Sequence, residues 1–313
     1  MIHLPTKNRD QPPPRLSVHD ALRQIERAIL NADGNIYNHS FYPDNTVVEK
    51  LKAYSLHKIE LEEGDLAKCY YCESKISHGA TLQVEHFRPK AKVEAGENDH
   101  LELPGYYWLG LEWTNLLLSC PKCNGKDAKG NKFPITGVRA QPLNPLTIVD
   151  GALTLSRANC FAHEGLLHDE LPVLLNPEVD RPEEYLTFDL MANFNGHGPE
   201  ASRGEISKHI YRLNRDELLW ERQKVWNEIK NLMNIYIHSF QANLIDENAL
   251  RHFLKIIVKD MLKRKQPTEE FSLWGTYINE HRQDFLDAEI DPQFHELFNE
   301  VYHEVSAVEQ MII

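Results

Sequence analysis

The chain has 313 residues, of which 42% are hydrophobic and 26% are charged, and its formal net charge is −13. This length and composition allow two or three modest packed domains. The first ten residues contain no apolar core of signal-peptide length, and no stretch approaches the roughly 20 apolar residues of a membrane span. We therefore exclude a membrane protein and expect a cytoplasmic one.

The net negative charge also excludes a surface that binds phosphates over its whole extent, because such affinity comes largely from Lys and Arg. A local excess of basic residues lies in the middle of the chain: Arg88, Lys90, Lys92, Lys122, Lys126, Lys129, Lys132 and Arg139. We expect a basic patch on an acidic body. Much of any affinity for a polyanion would then come from a partner subunit.

The first region, residues 1–60, is predicted to be an arm followed by helices. Residues 1–15 are polar and proline-rich, which is typical of an extended arm that packs against a neighbour. Apolar residues at helical spacing predict a helix from Ser17, its N-cap, to Ala32, and a second one from about Asp44 to Lys58.

The pattern changes in residues 61–140, which we interpret as the chemical module. Short aromatic and β-branched runs, such as Thr81 to Phe87 and Tyr106 to Leu111, predict strands. Residues 141–200 contain many Pro and Gly breakers and are predicted to be an irregular segment that wraps the module.

The last region, residues 201–313, returns to helical spacing. Asn214 is a candidate N-cap for its long first helix, and breaks are expected near Pro267 and Pro292.

Four of the five cysteines form two C-x-x-C pairs, Cys69 with Cys72 and Cys120 with Cys123. Cytoplasmic thiols stay reduced, so metal ligands are favoured over disulfides. Four thiolates would leave zinc no open position, which makes this a structural site and not one that activates water. The alternative is a chance arrangement of unrelated cysteines. Cys160 is predicted to be a small buried residue.

Glu85 and His86 lie between the two cysteine pairs. Neutral imidazole can accept a proton from water near pH 7, and the neighbouring carboxylate offers an oxygen to a divalent cation. Adjacent strand residues point to opposite faces, so both can serve one site only where the strand ends or twists, as Pro89 suggests. A lone histidine is otherwise more often a surface or core residue.

Asn124 directly follows Cys123, so the metal site would hold its backbone and preorganise its amide oxygen. Together with Glu85 it would make an oxygen donor set that favours Mg²⁺ or Mn²⁺ over zinc. Lys126 lies close enough in sequence to meet a phosphate, and Arg88 and Lys90 are further candidates. The alternative for Asn124 is an ordinary turn or helix cap.

These residues resemble the HNH, or ββα-metal, nuclease module. The resemblance implies that His86 is the general base, that Asn115 orients it, and that Glu85 and Asn124 hold the catalytic cation. It also implies an α+β fold, with a zinc-stapled ββα-metal module embedded between helical N- and C-terminal regions. The departures are Asn at the third position and Glu in place of the more common Asp.

Longer stretches are similar to the PtuB-like group of HNH proteins from Septu and certain retron anti-phage systems. They run from Val84 to Lys90, Glu112 to Cys120, Lys129 to Pro134, Leu174 to Pro177 and Tyr211 to Leu218. This resemblance implies a toxic effector that acts beside a PtuA-like ABC-type ATPase. In retrons it also implies a reverse transcriptase and its noncoding RNA as partners.

The resulting hypothesis is a metal-dependent endonuclease in which His86 deprotonates water for in-line attack on a phosphodiester. DNA is the favoured substrate and RNA, including tRNA, is the alternative. One alternative is a non-catalytic adaptor stabilised by zinc. Such a protein would need only the four cysteines and none of the other candidate site residues. A zinc deaminase would need H-x-E followed by P-C-x-x-C, whereas here Glu85 precedes the histidine and Pro121 lies inside the second cysteine pair.

Overall fold

A computed structural model describes residues 1–8, 10–75, 81–94, 102–155, 160–161 and 164–310. The chain divides into two compact units. The N-terminal unit comprises Met1–Leu186 and Gly196–Leu213, and the C-terminal unit comprises Thr187–Asn195 and Asn214–Ile313. The predicted module at 61–140 therefore lies within a larger body, and the first part of the predicted 201–313 region belongs to that same body.

The N-terminal unit begins with two amphipathic helices, α1 (His19–Asn31) and α2 (Asn45–Ser55). The carboxylate of Asp44 caps α2 by accepting a hydrogen bond from the backbone N–H of Thr46. The predicted cap of α1 was wrong by one residue, because Val18 occupies the N-cap position and makes no side-chain capping bond.

The N-terminal arm packs within its own chain. The N–H of Leu4 donates to the carbonyl of Pro177 at 2.7 Å. The ammonium of Lys7 is buried and lies 2.7 Å from the carboxylate of Glu178. It also donates to the carbonyl oxygens of Trp113 and Leu116. The arm is thus part of the core of its unit, in contrast to the predicted contact with a neighbour.

The candidate site is built on one antiparallel strand pair. Strand β1 (Gln83–His86) pairs with β4 (Leu116–Ser119), and His86 lies opposite Leu116. All four residues of β4 are buried, which explains its run of three leucines. The one-turn helix α3 (Pro121–Asn124) follows β4 directly.

The chain between these two strands contains a second pair, β2 (Lys92–Glu94) with β3 (Glu102–Pro104). The strand predicted at 106–111 is instead a 3₁₀ turn, Tyr107–Leu109, with all three side chains buried. A run of large apolar residues can pack in either conformation, so its composition alone did not distinguish them.

The remainder of the N-terminal unit consists of short elements, as predicted for residues 141–200. Strand β5 (Leu146–Val149) pairs with β6 (Ala152–Leu155), and the one-turn helix α4 spans Gly165–His168. Two further strands pair, β7 (Leu186–Phe188) and β8 (Phe194–Gly196), of which only Leu186 and Gly196 belong to this unit and the rest to the C-terminal unit. Helix α5 (Ala201–Ile210) completes this unit.

Helices make up most of the C-terminal unit: α6 (Asp216–Gln241), α7 (Glu247–Lys263), α8 (Ser272–Glu280), α9 (Arg282–Glu289) and α10 (His295–Gln310). As predicted, Pro267 lies in the break between α7 and α8, and Pro292 lies in the break between α9 and α10. Asn214 does not cap α6, because its side-chain amide bonds both the N–H and the carbonyl of Phe194. Among the described helices, we find none with the length and apolarity that crossing a membrane requires.

The described residues thus form a mixed helical fold with small antiparallel sheets, which confirms the predicted α+β class at that level.

Replacing Lys7 with Met should destabilise the N-terminal unit by about 3–5 kcal/mol, because it leaves the buried Glu178 carboxylate without its counter-ion. Urea unfolding measures this change. The control is Lys52→Met, which removes an exposed ion pair with Glu49 and should cost less than about 1 kcal/mol. Equal effects of the two substitutions would contradict the interpretation.

Candidate active site and metal centre

Four buried cysteines converge in the N-terminal unit. The sulfur atoms of Cys69, Cys72, Cys120 and Cys123 all lie within 4.8 Å of one another. The sulfurs of Cys72 and Cys120 are 3.9 Å apart. A zinc tetrahedron with bonds of about 2.3 Å needs sulfurs about 3.8 Å apart. The donor set therefore fits a structural metal such as zinc, as the spacing predicted.

Backbone bonds shape the two cysteine turns for this role. The N–H of Cys120 points to the sulfur of Cys69 at 3.3 Å, and such bonds orient metal-binding thiolates. The N–H of Tyr70 donates to the carbonyl of Leu118 at 2.9 Å. The first cysteine turn is therefore attached to β4, and the second follows that same strand through α3.

His86 ends β1 and is held by the 3₁₀ turn region. Its Nε2 lies 3.0 Å from the carbonyl oxygen of Gly110. A carbonyl only accepts, so Nε2 must carry the proton and Nδ1 keeps its lone pair. Burial lowers the pKa of His86 to about 3. The imidazole is therefore neutral near pH 7 with its lone pair on Nδ1, and a pKa this low makes Nδ1 a weak base until a nearby negative charge raises it.

Two residues that support His86 were missed from the sequence. The ring of Tyr42 meets the imidazole edge to face, with the centroids 5.0 Å apart. The ring of Tyr37 packs against Gly110 so closely that a Cβ there would collide with it. The glycine is thus required for the approach of this carbonyl. No periodicity or motif marks such contacts, because they join three separate parts of the chain.

Asn115 is fully buried and holds the chain beyond His86 instead of the imidazole itself. Its Oδ1 accepts the N–H of Arg88 at 2.8 Å, and its Nδ2 donates to the carbonyl of Arg88 at 3.0 Å. The side chain of Asn115 thus braces the loop after His86, whereas the resemblance implied that it orients the ring.

Glu85 points to the opposite side of β1 from His86. Its carboxylate is buried, only 5% of the residue is exposed, and it forms an ion pair with the fully buried ammonium of Lys129. A divalent cation at this carboxylate would have to displace that ammonium. Glu85 therefore does not fit the predicted open magnesium or manganese site in this arrangement.

Asn124 is the last residue of α3 and is half-buried. Its backbone is held as predicted: the N–H donates to the carbonyl of Cys120 at 3.0 Å, and the carbonyl accepts the N–H of Gly130 at 3.2 Å. Its role as a cation ligand stays a prediction.

The predicted phosphate contacts differ in their accessibility. Arg88 is fully buried in an ion pair with Glu170 at 2.8 Å, so a phosphate contact would require that pair to open. Lys90 is half-buried, and its ammonium donates to the carbonyl of Gly34 at 2.8 Å. Lys126 is exposed. Only Lys126 of the three therefore presents its charge freely to solvent-borne ligands.

Comparison with known proteins finds relatives among Septu proteins. The chain is 36% identical over 163 residues to Septu protein PtuB of Bacillus mycoides (strain KBAB4), which covers 52% of this chain and 48% of that protein. It is 22% identical over 235 residues to Septu protein PtuB of Bacillus thuringiensis, covering 73% and 70%. It is also 26% identical over 169 residues to Septu protein PtuA of B. mycoides (strain KBAB4), covering 54% and 20%.

The chain thus spans about half the length of the first of these relatives and about a fifth of PtuA. No family model and no solved structure matches it. The predicted similarity to the PtuB-like group is confirmed, whereas the HNH nature of the site stays a prediction.

Replacing Cys123 with Ser should abolish stoichiometric zinc binding and destabilise the N-terminal unit by more than about 5 kcal/mol. The reason is that thiolate-bound zinc contributes folding free energy directly. Elemental analysis and denaturant unfolding measure the two effects. Cys160→Ser is the matched control, since it alters a buried cysteine outside the cluster and should leave the zinc content unchanged.

Long-range ¹⁵N–¹H spectra at pH 7.5 should show His86 as the neutral tautomer protonated at Nε2, because the Gly110 carbonyl needs a donor. The spectrum of His86→Asn assigns the signal by its loss. A signal from the Nδ1-protonated tautomer would refute the proposed proton-accepting role of Nδ1.

Proposed function

We propose that this chain is an HNH-type endonuclease that works as an effector in a Septu-like anti-phage defence system. The observation that carries the proposal is the neutral His86 whose Nε2 is bonded to the Gly110 carbonyl. A fixed ring with its lone pair on Nδ1 has the geometry of a general base, and the negative charge of a bound phosphodiester would raise its low pKa toward the working range. The similarity to PtuB proteins supports the defence role.

In the proposed reaction, Nδ1 of His86 takes a proton from a water molecule, which attacks the phosphorus of a phosphodiester in line with the leaving 3′ oxygen. Products would carry a 5′ phosphate. Asn115 keeps the segment after His86 in place, so the ring needs little reorganisation during the reaction. Asn124 and the exposed Lys126 lie on the segment that follows the cysteine cluster and would face the phosphate backbone.

Glu85 is assigned no step at a cation, because its carboxylate is already paired with Lys129. Of the two predicted ligands of the divalent cation that the HNH resemblance implies, only Asn124 remains; such a cation would stabilise the charge that develops on the phosphate.

A partner would supply much of the substrate affinity. Several basic residues that we expected to form a surface patch have partners within the fold instead: Arg88, Lys90, Lys129, Lys132 and Arg139. The match to PtuA supports a PtuA-like ATPase as that partner. A retron reverse transcriptase and its RNA stay predictions from the resemblance.

DNA is the proposed substrate, and tRNA is the alternative. Both present the same phosphodiester, and the described site residues include no contact that would select the 2′-hydroxyl.

Replacing His86 with Ala should reduce cleavage by about 10²–10⁴-fold, the usual contribution of a general base. The assay compares duplex DNA and tRNA, with and without the PtuA-like ATPase. His19→Ala, an exposed histidine on α1, is the control and should cleave at the wild-type rate.

Undiminished cleavage by folded His86→Ala protein would rule out this base. Cleavage by neither the wild type nor its complex with the ATPase would favour the non-catalytic adaptor.

A further inference from the structure

We propose that Lys129 is a positioning residue that fixes the main chain at His86 and joins it to the four-cysteine cluster. This inference rests on the proposed function for its catalytic consequence, whereas the contacts themselves do not depend on it. It also gives Glu85 a different role from the predicted cation ligand, namely that of counter-ion to Lys129.

Lys129 makes three contacts from one buried position. Its ammonium donates to the carbonyl oxygen of His86 at 2.9 Å and pairs with the carboxylate of Glu85. Its backbone N–H donates to the carbonyl of Cys123 at 3.2 Å. One residue thus connects the metal cluster, through its backbone, to the end of β1, through its side chain.

The loop that carries Lys129, residues 125–132, is closed by its own hydrogen bonds. The N–H of Lys132 donates to the carbonyl of Lys129 at 2.8 Å, and its ammonium bonds the carbonyls of Lys126 and Ala128. Gly130 allows the tight turn, because its φ of 44° lies in the left-handed region. The backbone of Lys129 is therefore fixed independently of its side chain.

Together with Asn115, Lys129 holds the main chain from the carbonyl of His86 to Arg88, directly after the proposed catalytic ring. Asn115 bonds the backbone of Arg88, which follows His86 by two residues, and Lys129 bonds the carbonyl of His86 itself. The remaining freedom of the imidazole is rotation about its own side-chain bonds, and the Gly110 carbonyl restricts that rotation. Loss of Lys129 would remove the hydrogen bond at the His86 carbonyl, while the pairing of His86 with Leu116 and all four cysteines stay in place.

Glu85 is suited to the role of counter-ion by its position. It is the buried residue of β1 and lies opposite Leu117 of the fully buried strand β4, and desolvation raises its pKa. A buried ammonium persists only beside a compensating charge and further hydrogen bonds, which Glu85 and the His86 carbonyl supply.

The test compares Lys129→Met, Glu85→Gln and the double variant. Lys129→Met alone leaves a buried carboxylate unpaired and can fail to fold, so the double variant, which removes both charges, is the decisive one. Lys132→Met is the matched control, since its ammonium belongs to the same loop but bonds only carbonyls of that loop. Each protein is examined for its unfolding free energy, zinc content, the His86 ¹⁵N signals and cleavage of the active substrate.

We expect the double variant to regain stability relative to Lys129→Met and to keep its zinc. Its kcat should nevertheless fall at least about 10-fold with KM changed less than about 2-fold, which marks loss of positioning rather than of substrate binding. Its His86 signals should broaden or shift. Lys132→Met should match the wild type in kcat and in these signals.

Wild-type kcat and unchanged His86 signals in the folded double variant would overturn the proposal. A cation titration tests the role of Glu85 separately: Glu85→Gln should leave the Mg²⁺ concentration for half-maximal cleavage unchanged, and a rise of more than about 10-fold would make Glu85 a ligand. If the wild type cleaves nothing, the proposed function fails, while the stability cycle and the His86 signals still decide whether Lys129 positions this residue.

Discussion

The convergence of four buried thiols is the constraint on which the candidate site depends. Cys69 and Cys72 precede β1, whereas Cys120 and Cys123 follow β4, so closing the cluster holds the start of β1 beside the end of β4. A four-residue strand pair has too little apolar area to define its own register. The cluster, with the backbone bond from Tyr70 to Leu118, provides the missing constraint. Side chains at the far end of β1 can then be placed accurately.

The charged residues near the site form buried ion pairs that stabilise the fold, and most are not exposed at the surface. Arg88 and Lys129 are both fully buried, and each is matched by one carboxylate, Glu170 and Glu85 respectively. Their sequence positions beside the cysteine pairs suggested a phosphate-binding patch. Ion pairs of this kind hold one particular arrangement, since any other would leave a buried charge uncompensated. These ion pairs therefore make the site rigid. They also leave fewer cations available to bind a polyanion.

The sequence predicted the features of this site that follow from residue spacing or strand alternation. It did not predict the contacts between distant segments. Spacing was enough for the cysteine cluster, and strand geometry was enough to put Glu85 and His86 on opposite faces of β1. The support of the imidazole by Gly110, with Tyr37 behind it, joins segments more than 20 residues apart and has no signature in composition. Asn214 shows the same limit, because a tertiary bond to Phe194 replaced the expected helix cap.

The net negative charge of the chain and the partial burial of His86 limit how a polyanionic substrate would reach this residue. Long-range attraction of a polyanion needs several exposed cations, and the basic residues near His86 are mostly committed to internal partners. Under the proposed function, a positively charged partner would then bind the substrate, and this chain would supply the catalytic residues. Under that function, such a division would also restrain the nuclease, because a base that cannot recruit its own substrate would act only when the partner delivers one.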